Sequence, residues 1–161
     1  QEKGGLPIIR IQNLNNEQSE YNFYSGKVDS KLIINNGDLL FSWSGSRGTS
    51  FGPHIWNGGR AILNQHIFKV EYKNEFIKEF LYFMLKHAVI EVEENLHGGV
   101  GLVHITKGNL ERIKITLPPM EIQQQIIAQI EEEQKLVAAN KKLIEIYQSK
   151  IRTVLATLWE E

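Results

Sequence analysis

The chain has 161 residues, 42% of them hydrophobic and 23% charged, with a formal net charge of -1 at pH 7. This composition is typical of a globular protein with a buried core, and it excludes a sheath-like nucleic-acid binder that depends on broad phosphate neutralisation. Because there is no cysteine, no signal-peptide layout and no apolar run near the roughly 20 residues that cross a bilayer, we expect a soluble, cytoplasmic protein without disulfides.

The chain up to Pro119 is predicted to be a compact domain of mixed secondary structure. It contains all 13 glycines, all four prolines and all five histidines, and it carries 13 Lys and Arg against 12 Asp and Glu. Short β-rich runs lie between these residues, each bounded by Gly, Asn, Asp or Pro. The predicted strands are Ile8–Ile11, Lys31–Ile34, Leu39–Trp43, His66–Val70 and Arg112–Leu117. We therefore expect a compact α+β domain over residues 1–119, with a twisted β-sheet and short helices.

A helix is predicted between the last two of these strands. Asn74 is a suitable N-cap, and apolar residues follow it at helical spacing. The expected buried face consists of Phe76, Phe80, Phe83, Met84 and His87. We interpret this stripe as core packing rather than as a cofactor site.

Residues 120–161 are predicted to form one long helix. The 42 residues after Pro119 contain no Gly or Pro and are rich in helix-forming residues. Apolar residues repeat with heptad spacing, interrupted by Glu133 and Asn140. The predicted interface with a partner helix, called here the heptad ridge, consists of Ile126, Ile130, Val137, Asn140, Ile144, Tyr147, Ile151, Val154 and Leu158. A helix about 60 Å long extends beyond a domain of this size, so the ridge should meet a second helix. A helix folded back on its own domain is the alternative.

Several catalytic patterns in the sequence are incomplete. Leu117–Met120 lacks the side-chain carbonyl and the aromatic ring of an amino-methyltransferase motif, and Gly98–Gly101 is not followed by the Gly-Lys-Ser/Thr of a P-loop. The histidines lack the spacing of zinc ligands, and Ser44–Gly48 does not match the nucleophile elbow of a hydrolase. We therefore expect no metal site, no bound cofactor and no catalytic residue.

One enzymatic alternative is a Mg²⁺-dependent nuclease. Asp38, Glu71 and Lys73 mimic the two carboxylates and the lysine that such enzymes use to cleave phosphodiesters. Asp38 is also suited to a turn within Asn35–Asp38, and Lys73 to a surface strand end. The pattern Glu-x-Lys is common in chains this charged, so the turn is the simpler interpretation.

Residues 42–50 combine side chains that proteins use to read DNA. Serine, threonine and glycine surround one arginine, Arg47, directly after a predicted strand, and Arg60 and Asn64–His66 follow along the chain. Arginine pairs with guanine, Asn and Gln pair with adenine, and hydroxyls contact bases or phosphates. We interpret residues 44–50 as a loop that enters a DNA groove; a surface loop held by hydroxyl turns is the alternative.

Five segments in order resemble the target recognition domain and conserved helix of type I restriction-modification specificity subunits. The first segment, Leu6–Leu14, is similar to P-x-I-R-I-x-x-L, and the second, Gly37–Ser46, is similar to G-D-I-L-F-S-W-S-G. The third, Leu63–Val70, is similar to L-N-Q-H-I-F-K-V, and the fourth, Gly99–Thr106, is similar to G-x-x-x-x-H-I. The fifth, Ile115–Ile126, is similar to I-x-L-P-P-L-x-E-Q-x-x-I. Members of that family carry two recognition domains and two long helices, whereas this chain carries one of each. We therefore expect half a subunit or a fragment of a longer or fused protein.

The resemblance implies a non-catalytic prokaryotic protein that recognises double-stranded DNA within a type I restriction enzyme. The domain would read one half of a bipartite target. The helix would form a coiled coil with a second specificity repeat, or with its own copy in a homodimer, and so set the spacing between half-sites. The same coiled coil would dock adenine methyltransferase subunits, which bind S-adenosylmethionine, and through them the ATP-driven restriction subunit.

The DNA-binding residues expected on this interpretation lie in the loop and in basic positions elsewhere in the domain. They are Ser44, Ser46, Arg47, Thr49, Arg60, Lys27, Lys31 and Lys107. Arg47 is the best candidate for a base contact, and Arg60 and the three lysines are candidates for phosphate contacts. A coiled-coil assembly module that binds protein rather than DNA is a further alternative.

Overall fold

The computed structural model describes residues 4–16, 18–46, 49–95, 102–104 and 107–157. The chain divides into two compact units, Gln1–Pro118 and Pro119–Glu161. The strands of the first unit are β1 Leu6–Ile9, β2 Asn22–Tyr24, β3 Ile33–Ile34, β4 Leu39–Ser42, β5 Ser44–Ser46, β6 Gly52–Ile55, β7 Ala61–Leu63, β8 Ile67–Lys69 and β9 Leu102–His104. Its helices are α1 Ile11–Asn15, α2 Lys78–Asn95 and α3 Lys107–Leu110, with a 3₁₀ turn at Ser30–Leu32. The second unit holds α4, Met120–Thr157.

The strands form two sheets and one separate pair. The four-stranded sheet has the order β2-β1-β7-β3, the three-stranded sheet has the order β6-β4-β8, and β5 pairs with β9. Only β1 and β7 are parallel among these pairings, with Ile9 opposite Leu63. The predicted α+β class is confirmed, although the single sheet that we expected is divided in two.

Strand β4 separates the two hydrophobic clusters of the first unit. Successive side chains of a strand point to opposite faces, and Leu39 and Phe41 lie in one cluster whereas Leu40 lies in the other. The first cluster adds Phe51, Leu81, Leu85 and Val89, and the second adds Ile9, Ile34, Trp56, Ala61, Leu63 and Ile67. Because both faces of β4 are covered, its sequence is a continuous apolar run rather than an alternating one.

Helix α2 buries a face that coincides only in part with the predicted one, since Phe76 packs against the first cluster but Phe83 and Met84 are only half-buried. Phe80, Leu81, Leu85 and Val89 are buried, whereas His87 is exposed. Leu81, Leu85 and Val89 are spaced by four residues and pack in the first cluster with β4. The helix also begins at Lys78 rather than directly after Asn74, because the intervening residues form a turn in which the Phe76 N–H donates to the Lys73 carbonyl.

Two predicted strands differ from the structure for identifiable reasons. Residues 112–117 form no strand, although the half-buried Ile113 and Ile115 alternate with exposed residues and pack against the first cluster. Their alternation is that of a strand, but no neighbouring strand in the described chain pairs with them. The predicted strand Ile8–Ile11 ends at Ile9, because the Asn13 side chain accepts from the Arg10 N–H at 3.0 Å and helix α1 begins at Ile11.

Helix α4 runs without interruption through 38 residues, a length of about 57 Å. Most of the heptad ridge is solvent-exposed within this chain: Val137 is 51% exposed, Ile144 56% and Val154 63%. Ile126 and Ile130 are half-buried, and Leu158 lies outside the described residues. Of the helices that the structure describes, none has the length and apolar character needed to span a membrane.

Candidate nucleic-acid interface

The predicted recognition loop connects β4 and β6 at one end of the three-stranded sheet. The antiparallel register of these strands ends with Ser42 opposite Gly52, so residues 43–51 form the connection. The backbone N–H groups of Thr49, Ser50 and Phe51 donate to the Ser46 carbonyl at 3.2 to 3.3 Å. In return the Ser46 N–H donates to the Ser50 hydroxyl at 2.9 Å. Hydroxyl and backbone groups therefore close the loop into a turn.

The loop residues that we predicted to bind DNA differ in their exposure. Ser46 and Thr49 are exposed, whereas Ser44 is only 8% exposed and its carbonyl accepts from the Ser42 hydroxyl at 2.7 Å. Arg47 lies outside the described residues. The structure thus makes Ser46 and Thr49 available to a ligand, and the DNA-binding role of all four residues stays a prediction.

Gly45 allows β5 to lie directly against the end of the same loop. Its φ is +155°, and a Cβ atom built on it would lie 2.5 Å from Ser50 Oγ and 2.9 Å from the Phe51 backbone nitrogen. Real Cβ atoms essentially never approach other atoms so closely. The loop therefore depends on a residue without a side chain at this position.

His54 supports the loop from β6. Its ring nitrogen Nε2 lies 3.1 Å from the Ser50 carbonyl. Burial lowers the pKa of His54 below its usual value of 6.5, an effect that the Ser50 hydrogen bond opposes and the charge of Lys86 reinforces. The neutral imidazole is therefore favoured, and in the tautomer with a proton on Nε2 it donates to the Ser50 carbonyl.

A second segment, Asn64–His66, lies beside the recognition loop. It carries the chain from β7 in the four-stranded sheet to β8 in the three-stranded sheet. The Trp43 backbone N–H donates to the His66 carbonyl at 3.2 Å, and the indole Nε1 donates to the Gln65 carbonyl at 3.0 Å. Because Trp43 directly precedes Ser44, these bonds hold the segment beside the start of the recognition loop.

The basic residues predicted to bind phosphate lie at different places in the first unit. Lys27 and Lys31 are exposed in the connection between β2 and β3, and Arg60 is exposed directly before β7. The register of β3 and β7 pairs Ile34 with Ala61, which places Lys31 and Arg60 at opposite ends of this strand pair. Lys107 begins α3. Their phosphate contacts stay predictions.

Asp38 has the structural role of a turn residue. Its Oδ2 accepts from the Asn35 N–H at 2.8 Å and pairs with the Lys69 ammonium at 2.8 Å, whereas Glu71 and Lys73 are exposed beyond β8. No three His, Cys, Asp or Glu side chains in the described part of the chain lie close enough together to hold a metal ion. The nuclease alternative is not favoured.

Sequence reasoning missed the anchoring of Asn64–His66 to Trp43 and the support that His54 gives to the loop. The first contact spans 22 residues, and the second joins residues four apart through the conformation of the turn before β6. A pattern in the sequence carries no information on such pairings. The available signal was the segment Asn64–His66 itself, whose amide and imidazole groups are suited to DNA.

Comparisons with known proteins identify the family of the chain. Residues 1–146 match the family model described as type I restriction modification DNA specificity domain. The specificity subunit of the type I restriction enzyme MjaVIII from Methanocaldococcus jannaschii is 31% identical over 120 residues, which cover 74% of this chain and 27% of that protein. This chain therefore spans about a quarter of the length of that relative.

Solved structures share its fold. One chain, from a structural study of the assembly and conformational transition of the type I R-M system, superposes with a TM-score of 0.71 at 20% identity, covering 95% of this chain and 37% of the other. The HsdS subunit from Thermoanaerobacter tengcongensis superposes with a TM-score of 0.64 at 22% identity, covering 88% and 33%. The protein thus belongs to the family of type I restriction-modification DNA specificity domains.

Proposed function

We propose that the first unit reads one half of a bipartite double-stranded DNA target. The exposed residues Ser46 and Thr49, on a loop closed by its own hydrogen bonds, support this proposal most directly. A preorganised loop loses little conformational entropy when it binds. Arg47 belongs to the same loop by sequence, and its guanidinium is suited to a guanine edge. The family to which the chain belongs supports the same role.

The heptad ridge of α4 supports a role in assembly. Exposed apolar side chains at heptad spacing over a helix of 38 residues need a partner helix to cover them. We infer that this partner is the long helix of a second specificity repeat or of a second copy. The pair sets the distance between two half-sites and docks the methyltransferase subunits, which bind S-adenosylmethionine and connect to the ATP-driven restriction subunit. No catalytic step is assigned to this chain.

Selection from randomised duplexes, combined with a salt titration, tests the DNA-binding part of the proposal. The protein as encoded by its gene is incubated with duplexes that carry a randomised segment, and the bound fraction is sequenced. We expect an enriched motif, and an affinity that falls with increasing salt because phosphate contacts release counterions. A protein that shows neither enrichment nor salt-dependent binding contradicts the proposal and favours an assembly module that binds only protein.

A change in the length of α4 tests its role as a spacer. Insertion of one heptad after Asn140 keeps the ridge in register and lengthens the helix by about 10 Å, which corresponds to about three base pairs. We expect the selected half-sites to move apart by this distance while their base sequences stay the same. An unchanged separation contradicts the spacer role and leaves the readout of each half-site intact.

A further inference from the structure

We propose that Gln65 is a specificity-determining residue that reads an adenine, and that Trp43 and His66 are positioning residues for it. This inference rests on the proposed function, since it requires that the first unit bind DNA in a sequence-dependent manner. It adds a second reading segment, Asn64–His66, which lies 17 residues or more beyond Arg47 in the sequence.

The backbone of Gln65 is held on both sides. The Asn64 N–H donates to the Ile9 carbonyl at 3.1 Å, and the Ile67 N–H donates back to the Asn64 carbonyl at 3.1 Å. The Gln65 carbonyl itself accepts from the Trp43 indole at 3.0 Å. The segment is therefore fixed to the four-stranded sheet before it and to the three-stranded sheet after it, and its backbone does not need to be ordered on binding.

The side chain of Gln65, in contrast, is exposed to solvent. Its amide nitrogen lies 3.5 Å from Nε2 of His66. The His66 ring is half-buried and packs on Trp43 with ring centroids 5.2 Å apart, and Phe68 stacks on Trp43 at 6.0 Å. A fixed imidazole thus lies beside a solvent-facing amide, which limits the rotamers that the amide can adopt.

The position of Gln65 lets it share a groove with the recognition loop. Trp43 contacts Gln65, and the Cα atoms of Trp43 and Ser46 are at most about 11 Å apart because three peptide units join them. The major groove of B-DNA is about 12 Å wide. The register of β3 and β7 also places Lys31 at the Leu63 end of these strands, where the chain leaves for Gln65. A cation is therefore available near the same edge for a phosphate.

The chemistry of the side chain selects the base. A glutamine amide offers one donor and one acceptor, which match the acceptor N7 and the donor N6 of adenine in the major groove. Guanine presents two acceptors and no donor there, so the amide oxygen of glutamine would be left without a partner. The base assigned to Gln65 is therefore adenine.

Base-resolved selection with matched variants tests this proposal. The gene-encoded protein and its Gln65→Ala, Gln65→Glu and Trp43→Phe variants are each used to select from duplexes with a randomised segment. Gln18→Ala is the control, because Gln18 is also an exposed glutamine of the first unit but lies in the connection between α1 and β2. Circular dichroism and thermal unfolding establish that each variant is folded.

We expect the Gln65→Ala variant to lose discrimination at one A·T pair by about 10- to 100-fold and to keep its preferences elsewhere. Gln65→Glu should shift that position toward cytosine, whose N4 group donates to a carboxylate. Trp43→Phe, which keeps an aromatic ring but removes the indole N–H, should lose part of the discrimination at the same pair only. Gln18→Ala should select the wild-type motif.

Three outcomes overturn the proposal in distinguishable ways. If the wild-type protein selects a motif that Gln65→Ala and Gln65→Glu both reproduce, Gln65 does not read a base, and the proposed function stands. If Gln65→Ala weakens binding to all sequences alike, the residue contacts the DNA backbone. If the wild-type protein selects no motif, the proposed function fails and this inference fails with it.

Discussion

Substitution of Gly45 by alanine is expected to disrupt the recognition loop. The added methyl group would lie 2.5 Å from Ser50 Oγ, 2.9 Å from the Ser50 carbonyl carbon and 2.9 Å from the Phe51 nitrogen. The last two are backbone atoms, so no rotation of a flexible side chain relieves those contacts. The Ser50 hydroxyl is also the acceptor for the Ser46 N–H, and it must move.

Two effects add in this variant. Backbone strain for a side chain at φ +155° costs about 1–3 kcal/mol, and overpacking against fixed atoms costs about 1–3 kcal/mol. A destabilisation of at least about 2 kcal/mol follows, which lowers the melting temperature of a chain of this size by about 4–8 °C. DNA affinity should fall as well, because the Ser46 to Ser50 turn is no longer closed.

Gly59→Ala is the matched control, since a Cβ atom at Gly59 meets nothing within 4 Å. Its free energy of unfolding should stay within about 0.5 kcal/mol of the wild-type value. Urea unfolding followed by tryptophan fluorescence measures both variants, and DNA binding is measured under the same buffer conditions. Equal stabilities for the two variants would refute the close packing of β5 on the loop, whatever the effect on DNA.

Three further results are expected. Phe41→Ala should cost about 3–5 kcal/mol in urea unfolding because Phe41 is 1% exposed, whereas Phe23→Ala, at 39% exposure, should cost under about 1 kcal/mol; similar values contradict the assigned core. Because burial lowers the pKa of His54 below 6.5, the unfolded chain binds its proton more readily; stability should be lost as the pH falls below 6.5, at up to about 1.4 kcal/mol per pH unit. In the His54→Gln variant this contribution to the pH dependence of stability should vanish, and an unchanged pH dependence assigns it to other groups. Asn140→Ile should tighten helix association about tenfold, or 1.4 kcal/mol, in sedimentation equilibrium because it removes a polar residue from the heptad ridge. Weaker association would contradict the assignment of Asn140 to this ridge.

The sequence alone predicted the elements whose signals are local. Helix α4 could be foreseen because its composition changes sharply at Pro119, and β4 because Leu39–Phe41 is a continuous apolar run. The division into two sheets could not be foreseen, since it depends on the parallel pairing of β1 with β7 across more than 50 residues. Residues 112–117 alternate as a strand does and pack against the first cluster, but they pair with no strand in the described part of the chain.

The candidate site was predictable to a similar degree. The hydroxyl-rich composition of the loop identified Ser46 and Thr49 as residues open to solvent. Composition could not show that Ser44 is buried or that it lies in a strand paired with β9, because both depend on the tertiary fold. Nor could it show that an indole holds the Gln65 carbonyl, since that bond joins two connecting segments that are 22 residues apart in the sequence.

The solvent-facing apolar side chains of α4 have a consequence for how the protein behaves on dilution. Val137, Ile144 and Val154 are more than half exposed within the described part of the chain, and a lone helix is only marginally stable in water. If α4 pairs with a second copy, as proposed above, folding of this helix and association of the two chains are one equilibrium rather than two. The melting temperature of such a pair would rise with protein concentration, so thermal stabilities of different preparations would be comparable only at matched concentrations.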